Sequence, residues 1–220
     1  MPFVAVADDE LPVRDDQYGE VLPVMPLKNT VLFPGVIIPI TVGRDKSIKA
    51  VSRAQDSDKF LLVLTQKDPN TEDPGSRDLY QTGTVARIVK LLKMPDGSHT
   101  VILQGRKRCT VSEWVNEEPY LQAKISRREH VPSANAIEYS ALITVIQEKA
   151  RRIVELMPQI PNEAQVLLKN IQSDLFLLHF ISSNLGISIE KKQGLLEMDE
   201  LHRKAETLLD YLNQELQLLE

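Results

Sequence analysis

The spacing of apolar residues changes character once along the chain. Up to about residue 131 they come in short runs bounded by glycine, proline and aspartate, the texture of β-strands. From about residue 132 they recur every three or four positions, which draws one face on successive helices. In the first part, Val21-Leu22-Pro23-Val24-Met25-Pro26-Leu27 predicts a strand whose prolines confine it to a sheet edge. Residues 36–42 predict a second strand, and 45–55 a helix with Ile48, Val51 and Ala54 about a turn apart. Phe60-Leu61-Leu62-Val63-Leu64-Thr65 is a continuous apolar run, as in a strand buried on both faces. Two longer runs, 83–94 and 99–108, flank Pro95-Asp96-Gly97-Ser98, whose residue types favour a turn, so a β-hairpin is expected. Residues 109–115 and 120–128 supply two further strands. Some six strands with one helix predict a small, curled antiparallel sheet or partly open barrel. Gly43 and Gly83 are expected at tight backbone positions.

In the second part, Tyr139, Leu142, Ile143, Ile146, Ala150, Ile153, Val154 and Met157 share one helix face, and Pro158 and Pro161 end the run. Helices are expected over 163–171 and 174–185, the latter capped by Ser173 and stopped by Gly186. Ser188 caps a short helix ending near Glu197. Leu201, Ala205, Leu208, Leu212, Leu216 and Leu219 then form a stripe that runs on without glycine or proline, as in a piece of a longer chain. The organisation expected is an acidic flexible tail over 1–20, a β subdomain over 21–131 and an α-helical bundle over 132–220, hence the α+β class.

Composition narrows the function. At 220 residues the chain can bury a real core. Its net charge of −5 argues against a general nucleic-acid binder, which needs a basic face. A single cysteine, Cys109, excludes an internal disulfide, so the chain suits a reducing compartment or is indifferent to redox. There is no signal peptide pattern and no apolar stretch long enough to span a bilayer, so a cytoplasmic location is expected.

Catalytic constellations are missing from the sequence. No G-x-x-x-x-G-K-[ST], G-x-G-x-x-G or G-x-S-x-G occurs. The four histidines, His99, His130, His179 and His202, are scattered rather than set at zinc-ligand spacing. Cys109 between basic neighbours could act as a nucleophile, but a small buried strand residue is the expected role. His179 reads as a helix-face residue, and Glu117-Glu118 and Asp199-Glu200 as surface or helix-start charges. No catalytic, cofactor or metal residue is assigned, so the chain itself is not expected to be an enzyme.

One family resemblance gathers these features. Leu22-Pro23-Val24-Met25-Pro26-Leu27-Lys28-Asn29-Thr30-Val31-Leu32-Phe33-Pro34-Gly35 resembles the start of the Lon protease N-terminal domain. Val42-Gly43-Arg44-Asp45-Lys46-Ser47-Ile48 is similar to that family's V-G-R-x-K-S run. Asp78-Leu79-Tyr80, Gly83-Thr84-Val85-Ala86, Leu92-Lys93-Met94-Pro95-Asp96-Gly97 and Lys191-Lys192-Gln193 follow in the family's order over roughly 21–220. The resemblance implies a PUA-like curled β subdomain followed by a bundle ending in a long helix. It further implies that the parent protein is a homo-oligomeric, hexameric ATP-dependent serine protease that degrades misfolded and regulatory proteins. ATP, Mg and a Ser-Lys dyad would lie outside this chain, and this region would capture unfolded or degron-bearing polypeptides and help assemble the ring.

A receptor for unfolded chains needs uncovered apolar side chains or an open strand edge. Phe33 and Pro34, apolar in a loop, and Leu92 and Met94, near the hairpin tip, are the expected binding residues. Leu91 and Leu92 point to opposite faces, so both cannot face the core. The leucine stripe of the last helix either packs on the bundle, the reading favoured from Leu201 to Leu212, or forms a coiled coil with another subunit or a later segment, favoured for Leu216 and Leu219. Leu212, Leu216 and Leu219 are the candidates for packing between segments. Two other functions fit the same residues. A stand-alone adaptor of the same fold would lack a P-loop downstream. An RNA-binding PUA-like protein would use Arg106-Lys107-Arg108 with Arg127-Arg128, and its binding would weaken with salt.

Overall fold

The computed structural model describes residues 18–160 and 162–220, so most of the expected tail, 1–17, lies outside the described residues. They divide into two compact units, 18–128 and 129–220.

The first unit is built on six strands, β1 (Val21–Leu27), β2 (Ile37–Val42), β3 (Phe60–Thr65), β4 (Thr82–Lys93), β5 (His99–Asn116) and β6 (Gln122–Arg127), with one helix, α1 (Asp45–Gln55). The sheet order is β2-β5-β4-β3-β1-β6, and β6 also pairs with β5, so five strands close on themselves while β2 extends β5 outward. The sheet is mixed rather than antiparallel throughout, because β1 runs parallel to β3, with Val24 opposite Leu62. Nor is β1 an edge: it lies between β3 and β6, and its prolines are accommodated there. The segments expected as two strands, 99–108 and 109–115, are one strand of 18 residues. Its first half pairs with β2 and β4, and its second half with β4 and β6.

Leu22, Val24, Phe60, Leu62, Val85, Cys109, Ala123 and neighbours fill one face of this sheet as a buried core. Alternation sends Leu61, Val63, Ala86, Ile88, Val101 and Leu103 to the opposite face, which is buried as well. With both faces covered, β3 is buried at every position, as its unbroken apolar run requires. Gly83 sits where a Cβ would strike the Val63 carbonyl, and Gly105 where one would strike the Phe33 carbonyl. Gly43, by contrast, has open space around it and no left-handed backbone, so its expected tight geometry is absent.

The second unit holds α2 (Ala136–Leu156), α3 (Asn162–Asn170), α4 (Asp174–Asn184), α5 (Ile189–Glu197) and α6 (Leu201–Leu219). Local chemistry sets the starts. The side chains of Asn135, Ser173 and Ser188 accept hydrogen bonds from the Glu138, Phe176 and Lys191 amides, each relieving an orphan helix donor. Ile146, Leu178, Leu195, Ala205, Leu208 and Leu212 make the core. Residues 129–131 belong to this unit: Val131 donates to the Asp199 carbonyl and accepts from the Leu201 amide. Among the described residues, no helix is long and apolar enough to cross a membrane.

Candidate functional site

The hairpin of β4 and β5 is closed at its tip by a hydrogen-bonded turn. Gly97 takes the left-handed backbone that the turn demands, with φ of 85°. The Asp96 carboxylate accepts from the Ser98 hydroxyl at 2.6 Å and its amide at 2.9 Å. These bonds hold the Asp96 carboxyl below the usual carboxylate range. The Met94 amide donates to the Ser98 carbonyl at 2.8 Å and closes the turn.

Beyond the barrel, β4 and β2 flank β5 as a three-stranded outer sheet. One of its faces is core: Ile38, Leu103 and Ile88 stand in register, and all are buried. The other face carries Ile37-Gln104-Arg87, then Pro39-Ile102-Lys90, then Thr41-Thr100-Leu92 as three rows across the strands. Pro39 is exposed and Ile37 and Ile102 are half-exposed. Leu92 is 41% and Met94 43% exposed, while Leu91 turns inward opposite buried Val101. A bulge between Ile88 and Lys90 leaves Val89 unpaired and 57% exposed.

This sheet also keeps a free border. Pairing of β4 with β3 ends at Arg87, and the Ile88 amide makes a last bond to the Lys59 carbonyl. From Val89 to Lys93, β4 pairs with β5 alone among the described residues. Exposed apolar side chains therefore lie beside a row of unpaired backbone donors and acceptors. A cavity of about 290 Å³ adjoins the sheet, lined by Pro26, Lys28, Pro39, Ile40, Arg44 and Ser47.

The structure brings Leu92 and Met94 together on this surface and removes Phe33 from it. Phe33 is 0% exposed, because its loop is tied down on the sheet. Thr84 donates to the Leu32 carbonyl at 2.6 Å, Thr65 to the Thr30 carbonyl at 2.7 Å, and the Gly35 amide to the Gly105 carbonyl at 2.9 Å. Pro34 is half-buried beside it. Ile37, Pro39, Val89 and Ile102 join the surface without having been singled out in the sequence. Strand alternation in β2 was a usable signal for the first two.

The remaining sequence candidates resolve into structure-bearing roles. Cys109 is buried, and burial pushes its thiol up to about 12. His179 is buried in α4, its ring 5.5 Å from that of His130. Glu117 accepts from the Ser76 amide, Glu118 pairs with Lys46 at 2.8 Å, and Glu200 precedes α6. No group of side chains suited to holding a metal occurs among the described residues. The basic run is dispersed: Arg108 is buried, Arg128 donates to the Thr82 hydroxyl, and Lys107 and Arg127 are exposed.

In the helical unit Leu212 is fully buried, as a residue packed on the bundle would be, and Leu216 is 8% exposed within the same unit. Leu219 is half-buried, and Leu218, 82% exposed, is the leucine that α6 presents outward. An open groove of about 680 Å³ runs between α2 and the end of α6, lined by Val145, Lys149, Arg152, Asn213 and Leu216.

Residues 21–214 match the family model described as ATP-dependent protease La (LON) substrate-binding domain. The chain is 46% identical over 214 residues to the Lon protease of Flavobacterium johnsoniae, covering 97% of this chain and 26% of that protein. It is 39% identical to the Lon protease of Cytophaga hutchinsonii at the same coverage. The chain thus spans about a quarter of the length of the curated relatives it matches. Its fold is similar to the N-terminal domain of the Mycobacterium avium complex Lon protease, with a TM-score of 0.69 at 20% identity over 88% of this chain and 98% of that one. It is also similar to the Lon N-terminal domain protein from Xanthomonas campestris, with a TM-score of 0.61 at 21% identity over 86% of this chain and 97% of that one.

Proposed function

The chain belongs to the LON substrate-binding domain family, and from that premise we propose that its outer β2–β5–β4 sheet holds unfolded or degron-bearing polypeptide for a protease whose chemistry lies elsewhere in the whole protein. The observation that carries this reading is the apolar face of Pro39, Ile102, Leu92 and Met94 set against the unpaired border of β4. An extended guest can lay apolar side chains on the face and add its backbone to the border as a further strand. Met94 is unbranched and adaptable, which suits guests of varied sequence.

In this reading the whole protein is an ATP-dependent serine protease working as a homo-oligomer in the cytoplasm, where one unpaired cysteine is unremarkable. ATP, Mg and the proteolytic dyad act in other segments, and the helical unit contributes to assembly. Misfolded and regulatory proteins are the expected substrates.

The test is a titration of a labelled, reduced and alkylated protein, unable to fold, against the chain and a Leu92→Asp, Met94→Asp variant. Truncating the partly exposed surface of each side chain removes ~1 kcal/mol of contact. The two together, with charge placed on an apolar surface, lower affinity at least about tenfold. Both positions are exposed, so the variant melts as the parent does. Equal affinity for the two proteins would remove the assignment of this surface.

A further inference from the structure

At the inner end of the apolar face stand two arginines that the reading above does not use. Arg87 lies opposite Gln104 and shares its row with Ile37. The register between β4 and β5 shifts after Val85, so that Val85 meets Lys107 and Ala86 meets Gly105. Arg106 is the extra residue, and a bulge of this kind re-aims the side chain it carries. Here it turns the guanidinium back along the strand, where Nη1 donates to the Gln104 Oε1 at 3.2 Å. Arg87 and Arg106 therefore both neighbour Gln104, one across the strands and one through a hydrogen bond. Next along the same face come Pro39, Ile102 and Lys90, then Leu92.

The arrangement is costly as it stands. The Arg106 Nε is buried without a hydrogen-bond partner. Burial and the neighbouring Arg87 charge both push Arg106 below its ordinary range. Among the described residues no carboxylate forms an ion pair with either arginine. In a chain of net charge −5, two guanidiniums held together without an acid stand out. A planar carboxylate between them would accept from the Nη groups of both arginines and cancel the repulsion.

We propose that Arg87 and Arg106, steadied by Gln104, form a carboxylate clamp beside the apolar face, so that the polypeptides held best carry an acidic group next to an apolar stretch. The proposal rests on the outer sheet being the polypeptide-binding surface. It also fixes a spacing. Rows on one face of a strand are ~6.6 Å apart, so a guest with an apolar side chain over Ile102 or Leu92 places its acid two or four residues away.

Fluorescence anisotropy with the whole 220-residue chain tests this. The probes are labelled, amidated peptides with a leucine pair and, two and four residues away, Glu, Gln or Lys. A Gln peptide with a free C-terminal carboxylate, and a single-stranded oligouridylate, complete the set. At low salt the Glu peptide binds about tenfold more tightly than the Gln peptide, as expected for charge-assisted hydrogen bonds, and the Lys peptide more weakly than either. The preference disappears in Arg87→Gln, a change at an exposed position, and in Arg87→Gln/Arg106→Gln, while affinity for the Gln peptide holds. If the free-carboxylate Gln peptide outranks the Glu peptide, the clamp reads a chain terminus rather than a side chain. Equal binding of Glu and Gln peptides by the parent overturns the clamp and leaves the apolar surface standing. Binding of no peptide removes that surface and the clamp with it. Arginine-dependent binding of the oligouridylate without a Glu preference overturns the proposal in favour of a phosphate site.

Discussion

Replacing Gly105 with alanine drives a methyl group into the carbonyl of Phe33, and Pro34 closes the space alongside, its Cα 3.3 Å from where the new Cβ would sit. The chain has two ways to respond. It can keep the contact and absorb the strain, at ~1–3 kcal/mol for overpacking of this kind. Alternatively, it can lift the loop before β2, which breaks the bonds from the Gly35 amide to the Gly105 carbonyl and from the Gly105 amide to the Val36 carbonyl. Each is worth ~0.5–1.5 kcal/mol, so the second route costs about as much as the first. Either way the unit loses ~1–3 kcal/mol, or roughly 4–8 °C in Tm per kcal/mol for a domain of this size. Urea unfolding followed by the fluorescence of Trp114 reads the change in the right unit. It is the chain's one tryptophan, and its indole N–H donates to the Gln81 Oε1 at 3.0 Å within the barrel. Gly43→Ala is the control. Nothing lies within 4 Å of its new Cβ and its backbone is not left-handed, so its stability stays within ~0.5 kcal/mol of the parent or rises slightly. If Gly105→Ala unfolds at the same urea concentration as Gly43→Ala, the close approach of loop and strand is wrong.

Two further predictions concern the interior. Cys109 keeps its proton up to about 12 in the folded state, against an ordinary value of 9.0. Its contribution to stability is therefore complete below pH 9 and is lost as pH rises toward 12. Urea midpoints should fall over that window in the parent and less in Cys109→Ala, and alkylation at pH 8 should require unfolding. In α6, Leu216→Ala should cost ~2–5 kcal/mol by helical circular dichroism in urea, because the side chain is buried. Leu218→Ala should cost less than ~0.5 kcal/mol, and the reverse ranking would show that the helix is rotated.

What the sequence disclosed follows the range of the forces involved. Helix α1, the turn at Pro95-Asp96-Gly97-Ser98 and the Ser173 and Ser188 caps depend on neighbours within a few residues, and all were legible. The parallel pairing of β1 with β3 depends on residues nearly forty positions apart, and no local pattern announces it. Strand β5 looked like two strands because the polar stretch 104–108 interrupts its apolar rhythm. The bulge at Arg106 breaks the alternation there while the ladder continues. For the site, the pleat correctly opposed Leu91 to Leu92. It could not rank Phe33, whose exposure is decided by Gly105, far along the chain and lacking a side chain to keep the loop away. Ile37, Pro39 and Ile102 alternate as any half-buried strand does. Which half meets solvent is settled by what covers the other face.

The seam that closes the barrel has a consequence for how the protein is made. The last strand to leave a ribosome, β6, is the one that joins β1 to β5, with Leu22 opposite Ala123 and Cys109 opposite Arg127. Until residue 127 has emerged, a nascent chain carries two unsatisfied margins at once and cannot complete its interior, however well its earlier hairpins have formed. Vectorial synthesis thus delays closure to the final step, and translation arrest before Gln122 would release a sticky, open intermediate rather than a smaller folded one.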